Sequence, residues 1–278
     1  MAAIDRDAIA LAHIDRGGRG LEIGPAYRPL VSKASGARIE VVDHADREQL
    51  VEKYRSFGLD SNLLSGIEPV DYIWQGGSLL DVIPSRGEYD YVVASHLIEH
   101  TVDLIGFLQD VEQLLREDGR LALVIPDKRY CFDRFQPLSS VGAVVDAHHT
   151  GTRFHPAGSL LDHRAYAAKR GEATLAWGAG EGSRLSLQFP SIEGGADVIR
   201  EGLRQDAYHD IHRWRFVPAS FRLLIHDLRA LGYHRMGIVG RRDTLGFEFF
   251  ATLARGAPPE PLDRLVVLLE IEQALREV

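Results

Sequence analysis

Two short, almost uninterrupted apolar runs joined by an amphipathic segment constrain the fold of this chain more than any other feature. Residues 89–95 read YDYVVAS and residues 120–126 read RLALVIP, which is typical of strands buried on both faces of a parallel sheet. Between the runs, apolar residues recur at helical spacing, at Leu104, Leu108, Val111 and Leu115. Thr101 or Asp103 is the candidate N-cap, and Gly119 lies just past the predicted helix end. The pattern predicts a β-α-β unit with a right-handed crossover.

Three further strand-like runs precede this unit. They cover residues 20–23, 37–43 and 70–74. Strands that alternate with helical segments are typical of an open sheet covered on both faces. We therefore predict that residues 1–126 form an α/β core of Rossmann-like type with a mostly parallel sheet.

The regular pattern is lost after the fifth predicted strand. Residues 171–202 contain seven glycines and sustain no period, and a stretch of this length is too long for a simple loop in a compact domain. We interpret residues 127–213 as a long insertion that forms a lid or an acceptor-binding region.

The remaining chain returns to the predicted core. Residues 214–256 contain a helical pattern followed by two strand-like runs, 234–240 and 245–255, joined by a short polar link. Because a short link makes an antiparallel pair, we expect the sheet to end in an antiparallel C-terminal edge strand. Residues 257–278 predict a C-terminal helix whose apolar run 265–269 docks on the domain, and a homodimer contact through this helix is the alternative.

Composition narrows the class of protein and its partners. The 278 residues carry a net charge of −8, which argues against a protein that mainly grips nucleic acid phosphates. Cys131 is the only cysteine, so no internal disulfide and no thiolate zinc cluster can form. No segment approaches the ~20 uninterrupted apolar residues of a membrane span, and the N-terminus lacks the apolar core of a signal peptide. We therefore expect a cytoplasmic protein that acts on a small molecule.

The turn after the first predicted strand, GLEIGPAYRP at residues 20–29, has the outline of a nucleotide-binding turn but lacks its usual glycines. Asp43, at the end of the second strand, lies 19 positions beyond Gly24, where an acid accepts hydrogen bonds from a ribose diol. A dinucleotide needs glycines for the close approach of its pyrophosphate, and this turn has Pro25 and Ala26 instead. A nucleoside cofactor without phosphates fits better. S-adenosyl-L-methionine (SAM), an adenosine with a zwitterionic tail and a sulfonium, is such a cofactor.

Four motifs carry a resemblance to a known enzyme family. They read LEIGPAYRPL, VVDHAD, YDYVVASHLIEH and LLREDGRLALVIPDKR. Together they resemble the class I SAM-dependent methyltransferases, in particular the type 11-like enzymes with an E-x-G-P first motif that are met in bacterial surface-polysaccharide pathways. The resemblance covers about residues 18–128 and the predicted hairpin, residues 234–255. It implies a methyltransferase that uses S-adenosyl-L-methionine.

The resemblance also implies cofactor-binding residues at four strand ends. Those after the first strand would shape the methionine end of the site, and the acid after the second would accept the ribose hydroxyls. Those after the third strand would border the adenine, and those after the fourth would line the sulfonium side. In chain order these residues are Glu22, Gly24 and Pro25; Asp43; Ser78 and Leu79; and Ser95 and His96.

Half of the twelve histidines lie between residues 148 and 212, at His148, His149, His155, His163, His209 and His212. Histidine is the side chain best suited to remove a hydroxyl proton near neutral pH, and we choose His148 and His212 as the catalytic candidates. Trp214 lies beside His212 and is suited to cover a sugar face. The resemblance to enzymes of surface-polysaccharide pathways, together with the polarity of the insertion, therefore favours a hydroxyl of a sugar or a sugar-linked intermediate as the acceptor.

Other functions remain as alternatives. A phenolic or lipid-linked acceptor would require a more apolar lid, and a catalytically inactive SAM-fold binding or scaffold protein would bind the cofactor without turnover. An NAD-dependent oxidoreductase is disfavoured by the missing glycine fingerprint. Two histidine–acid groups have partial metal-ligand spacing, Asp146 with His148 and His149, and His96 with Glu99 and His100. Neither group has a matching distant ligand, so no metal is assigned.

Overall fold

The computed structural model describes residues 5–151, 153–172, 175–178 and 184–277. Within these ranges the chain forms nine strands: β1 (Gly20–Ile23), β2 (Ile39–Asp43), β3 (Tyr72–Ile73), β4 (Tyr89–Ser95), β5 (Leu115–Pro126), β6 (Ala168–Arg170), β7 (Leu185–Leu187), β8 (Gly237–Leu245) and β9 (Glu248–Ala254). The nine α-helices of the same ranges are α1 (Arg6–Ala10), α2 (Arg47–Ser56), α3 (Ser61–Ser65), α4 (Leu104–Leu114), α5 (Val141–Thr150), α6 (Ala157–Tyr166), α7 (Gly195–Arg204), α8 (Pro218–Ala230) and α9 (Arg264–Arg276). Three pieces of the predicted insertion lie outside the described residues: 152, 173–174 and 179–183.

Among the described strands, seven form one sheet in the order β3-β2-β1-β4-β5-β9-β8. Neighbouring strands from β3 to β5 run parallel, whereas β9 pairs antiparallel with both β5 and β8. The predicted Rossmann-like fold, a mostly parallel sheet that ends in an antiparallel hairpin, is confirmed. The reversed strand β9 lies beside β5, and β8, which the hairpin joins to β9, forms the edge of the sheet.

The helix between β4 and β5 confirms the predicted crossover but ends earlier than expected. Asp103 caps α4 by accepting a hydrogen bond from the amide of Gly106 at 2.9 Å. The helix stops one residue before Leu115, which already pairs with Tyr89 as the first residue of β5. The expected helix end near Gly119 is therefore wrong, because backbone pairing with β4 draws Leu115 and the residues after it into the strand.

Both faces of the sheet are covered, as the continuous apolar runs of β4 and β5 require. Helices α4, α5 and α8 contribute to the larger buried cluster on one face. On the other face, α1 and the loop after β1, through Leu30 and Val31, pack against β4 and β5. Each fully buried leucine or phenylalanine of these layers contributes ~1.5–3 kcal/mol relative to an exposed side chain. This packing fixes the carboxyl ends of β1, β2 and β4 at one edge of the sheet.

Helix α9 contradicts part of the prediction for the C-terminal tail. Of the apolar run 265–269, only Val267 is buried, and the other four side chains are exposed. Five consecutive helical residues cannot share one face, because each is rotated by about 100° from the last. An ion pair of 2.8 Å between Arg264 and Asp227 joins the start of α9 to α8. A homodimer contact through the exposed side chains stays a prediction.

None of the helices in the described ranges combines the length and the apolar character that crossing a bilayer requires.

Candidate functional site

The turn after β1 adopts a left-handed conformation at the carboxyl edge of the sheet. Gly24 has a φ of 68°, and a Cβ at this position would lie 3.0 Å from Cδ1 of Leu97. Glycine therefore suits both the backbone and the space. Ala26 has a positive φ of 51°, and Pro25 between them is buried. The predicted turn residues form a tight bend that is unlike an open phosphate cradle.

Glu22 supports this turn from beneath. Its side chain is 1% exposed, and its carboxylate accepts hydrogen bonds from the amides of Leu30 at 2.7 Å and Val31 at 3.0 Å. Burial raises the pKa of Glu22 to about 7, although the two amides oppose this shift. Glu22 therefore shapes the site through the loop backbone, and its predicted role at the methionine end would be indirect.

Asp43 lies at the end of β2, beside the turn. Its Oδ1 accepts from the amide of His44 and lies 2.7 Å from His44 Nδ1, and its Oδ2 accepts from the amide of Ala26 at 3.2 Å. A carboxylate oxygen can accept two hydrogen bonds, so Oδ2 keeps one acceptor position. That position suits a ribose hydroxyl of the predicted cofactor.

The loop after β3 is attached to helix α4. The hydroxyl of Ser78 and the amide of Leu79 both donate to Oδ2 of Asp110, at 2.8 and 2.7 Å. The side chain of Leu79 is fully buried in the main core, so its predicted contact with adenine could come only from its backbone. The carbonyl of Arg153 would lie 3.5 Å from a Cβ at Gly76, which shows that the insertion reaches this loop.

An ion-pair network that the sequence did not predict closes the end of β4. Arg6 on α1 donates to Ser95 Oγ at 3.1 Å and to both carboxylate oxygens of Glu248, at 2.6 and 3.0 Å. His96 has a positive φ of 50°, and its Nε2 lies 2.7 Å from Oε2 of Glu248. Burial would raise the pKa of Glu248, but the hydrogen bonds from His96 and Arg6 outweigh burial and lower it. Ser95 and His96 lie at the strand end with polar atoms engaged by these partners.

A buried cluster of histidines and carboxylates lies directly after β4. His212 is 2% exposed, and its Nδ1 lies 2.5 Å from Oδ2 of Asp133. Its Nε2 lies 4.0 Å from Oε1 of the buried Glu99. His100 packs edge-on against His212, with ring centroids 4.6 Å apart. The cluster joins the end of β4, the loop after β5 and the end of the insertion.

The electrostatics of this cluster distinguish its two imidazoles. Burial by itself lowers the pKa of His212, but the charge and hydrogen bond of Asp133, with the charge of Glu99, outweigh burial and raise it. Burial and the neighbouring histidines hold the pKa of His100 well below its usual value. Burial raises the pKa of Glu99 against the opposing charges of nearby histidines. His212 is therefore the imidazole of this pair that can take up a proton.

The structure does not bring together His148 and His212, the two predicted catalytic residues. Nδ1 of His148 lies 2.9 Å from Oδ2 of Asp103, and its ring packs against Tyr233. No hydrogen bond, ion pair or ring contact links it to the His212 cluster in the described part of the chain. His148 thus ties α5 to the start of α4, and its catalytic role stays a prediction.

Two tryptophans differ in a way that the sequence did not show. Trp214 is 3% exposed and donates from Nε1 to the carbonyl of Thr101 at 2.7 Å, so it cannot cover a sugar face as predicted. Trp177 is 39% exposed, and its ring centroid lies 6.3 Å from that of His212 and 5.1 Å from that of Phe247. The exposed aromatic surface beside the cluster therefore comes from Trp177. The sequence shows no sign of this, because the glycine-rich segment around Trp177 has no periodic pattern.

Comparison with known proteins gives a family but no close relative. A family model described as a methyltransferase domain matches residues 3–177. No protein of curated function matches the sequence. Among solved structures, the chain is similar to 1,6-didemethyltoxoflavin-N1-methyltransferase of Burkholderia thailandensis, with 13% identity, 90% of this chain and 76% of that chain covered, and a TM-score of 0.42. That structure holds 1,6-didemethyltoxoflavin and S-adenosylhomocysteine.

A second solved structure is similar to the same extent. It is an S-adenosylmethionine-dependent methyltransferase from Mesorhizobium loti, with 13% identity, 88% of this chain and 95% of that chain covered, and a TM-score of 0.42. Likenesses this distant carry no argument about substrate. The family model, in contrast, covers more than half of the chain, including β1 to β5 and the turns that follow them. The chain belongs to the methyltransferase domain family.

Proposed function

We propose that the chain transfers the methyl group of SAM to a hydroxyl of a small acceptor, a sugar or a sugar-linked intermediate. Family membership supports methyl transfer, and the remaining acceptor position on Asp43 supports the cofactor. The observation that carries the choice of a hydroxyl is the buried His212–Asp133 pair beside the end of β4. A hydroxyl must lose its proton when it is methylated, and this pair can take that proton.

The chain contributes alignment and proton removal to such a reaction. The cofactor, when bound, supplies a methyl group on a sulfonium. Holding the acceptor oxygen in line with that group can supply ~7–11 kcal/mol of the barrier reduction. Asp133 engages Nδ1 of His212, which leaves Nε2 to accept the hydroxyl proton. A positioned base of this kind contributes typically ~10²–10⁴-fold to the rate.

The surroundings of His212 support a sugar as the acceptor. Trp177 exposes an aromatic ring near His212, and apolar ring faces pack on such surfaces. His100, which is 20% exposed, adds a group that can hydrogen-bond a neighbouring hydroxyl. A combination of one aromatic face and polar groups is suited to a polyhydroxylated ring.

Methyl transfer from isotopically labelled SAM to a panel of acceptors tests the proposal. The panel contains monosaccharides, nucleoside-diphosphate sugars and, as the competing phenolic class, catechol. We expect a labelled methyl ether from a sugar acceptor. Methylation of catechol alone would overturn the sugar assignment, and cofactor binding without turnover of any acceptor would support an inactive binding protein instead.

The role of His212 is tested by a substitution that separates its two nitrogens. His212→Asn keeps a donor for Asp133 but removes Nε2. We expect a kcat ~10²–10⁴-fold below the wild-type value with unchanged binding of S-adenosylhomocysteine. His149→Asn, at an exposed histidine of α5, is the matched control and should keep wild-type activity.

A further inference from the structure

The carboxylate of Glu99 is a buried charge that the proposed reaction leaves unexplained. The side chain is fully buried, and neither oxygen has a hydrogen-bond partner among the described residues. Buried carboxylates are normally paired or bound to metals, because an unpaired one is costly. The backbone of Glu99 is held firmly, since its carbonyl accepts from the amides of Arg213 at 2.7 Å and Trp214 at 3.0 Å. The backbone of Glu99 is therefore fixed, whereas its carboxylate is buried without a hydrogen-bond partner among the described residues.

Imidazole nitrogens surround Glu99 at distances too long for hydrogen bonds. Oε1 lies 3.9 Å from Nε2 of His100, 4.0 Å from Nε2 of His212 and 3.7 Å from Nδ1 of His96. Two ligands that each bind an ion at ~2.0–2.2 Å lie at most about 4.4 Å apart. The ligand atoms of Glu99, His100 and His212 all lie within 4.8 Å of one another. These separations are close to that limit.

A carboxylate on the far nitrogen orients one of the two rings. Nδ1 of His212 lies 2.5 Å from Oδ2 of Asp133, so this ring presents Nε2 toward Glu99. A carboxylate behind a metal-binding histidine fixes the tautomer of the ring and raises its basicity. Nδ1 of His100 lies 3.3 Å from Oδ1 of the exposed Asp210 but has no hydrogen-bond partner among the described residues, so no carboxylate fixes the orientation of this ring.

We propose that Glu99, His100 and His212 bind one divalent first-row transition-metal ion. Two imidazoles and one carboxylate suit zinc, cobalt, iron or manganese, whereas magnesium and calcium prefer oxygen ligands. Three protein ligands leave an open coordination position, as catalytic sites require. In the sequence, the group around Glu99 and His100 lacks a distant ligand, and His212 supplies it after folding.

The metal site itself does not depend on the proposed function, and only its effect on the reaction rests on that function. A metal ion lowers the pKa of a bound oxygen ligand, so an ion here would bind the acceptor hydroxyl and favour transfer of its proton to solvent water. Nε2 of His212 would then be a ligand and would no longer accept that proton. If the metal ion binds the acceptor, removing the ion should abolish methyl transfer. If His212 is the base, methyl transfer should persist without the ion.

Metal binding can be measured without cofactor or acceptor. The full chain, stripped with a chelator, is dialysed against Zn²⁺, Co²⁺ or Mg²⁺ and analysed for bound metal, and Co²⁺ is also followed by its visible absorption. We expect one Zn²⁺ or Co²⁺ per chain and no Mg²⁺ at equal concentration. Asp133→Asn should weaken Co²⁺ binding ~10–100-fold through loss of an orienting group, and Glu99→Gln and His212→Asn should weaken it more. His149→Asn should bind as wild type does.

Each outcome decides for or against the site. Failure of the wild-type chain to bind Zn²⁺ or Co²⁺ would overturn the inference, whatever the variants do. It would also be overturned if Glu99→Gln and His212→Asn, with wild-type melting temperatures, kept the ion. Methyl transfer that persists in chelator would then leave the proposed function intact with His212 as the base. Metal binding without transfer to any acceptor would leave the site intact and overturn the proposed function.

Discussion

Glutamine in place of Glu22 removes an ionisable group buried beneath the turn after β1, and the pH dependence of stability should change as a result. The pKa of Glu22 is about 7 in the folded chain, against a usual value of 4.5. Because the folded state holds the proton more tightly, the group stabilises the fold at low pH, and this contribution is lost as pH rises from 4.5 through 7. Linkage makes the full shift worth about 3 kcal/mol, most of which falls between about pH 5 and pH 8.

Glu22→Gln should lose stability at low pH together with this pH dependence. A single amide oxygen cannot satisfy the amides of both Leu30 and Val31, and a buried donor without a partner costs ~1–3 kcal/mol. In urea unfolding, the difference in unfolding free energy between wild type and variant should shrink by ~2–3 kcal/mol from about pH 5 to pH 8. Glu52→Gln, on an exposed part of α2, controls for the substitution itself. If the difference in unfolding free energy between wild type and variant does not change with pH, the pKa of Glu22 is not raised in the folded chain.

Three further substitutions test other parts of the account. The pKa of His234 is lowered to about 4, chiefly by burial, so the unfolded chain takes up the proton first. Stability should fall by about 2 kcal/mol from about pH 7 to pH 4.5, and His234→Gln should remove that fall in urea unfolding. Leu79→Ala should cost ~2–5 kcal/mol in the same assay, because it opens a core cavity, and a negligible loss would mean that the side chain is free to face a ligand. Gly24→Ala should cost ~1–2 kcal/mol through its left-handed φ and weaken binding of S-adenosylhomocysteine, and a neutral result would contradict the tight turn.

The strands of the core could be predicted because their signal is local. The apolar runs of β4 and β5 require burial on both faces, whatever lies beside them. Two strand-like runs joined by a short link predict an antiparallel pair, but the predicted polar link, residues 241–244, belongs to β8, and the turn lies at residues 246–247. The positions at which helices and strands end depend, in contrast, on pairing and packing partners, and the periodicity of the sequence does not show these partners. Leu115 continues the apolar pattern of α4, yet it belongs to β5 because its backbone pairs with Tyr89. The exposed side chains around Val267 likewise follow from which face of α9 meets α8.

The residues at the strand ends could be predicted because their signal is also local. The spacing from the first turn to Asp43 involves only two consecutive strands, β1 and β2. Side chains joined by long-range contacts could not. Arg6 and Glu248 are 242 positions apart, and nothing near either residue indicates that they meet over β4. His148 and His212 are both predicted as catalytic from residue type, but the carboxylate that each ring meets, Asp103 for His148 and Asp133 for His212, depends on the fold.

The central claim, that the strand ends around Gly24 and Asp43 hold SAM, is tested most directly by calorimetric titration. The purified chain is titrated with S-adenosylhomocysteine and, in parallel, with NAD⁺. The account predicts one S-adenosylhomocysteine per chain, no binding of NAD⁺, and at least ~10-fold weaker binding in Asp43→Asn, because a hydrogen bond to a charged group contributes ~1.5–3 kcal/mol. A folded wild-type chain that binds no S-adenosylhomocysteine, or binds NAD⁺ equally well, would contradict it.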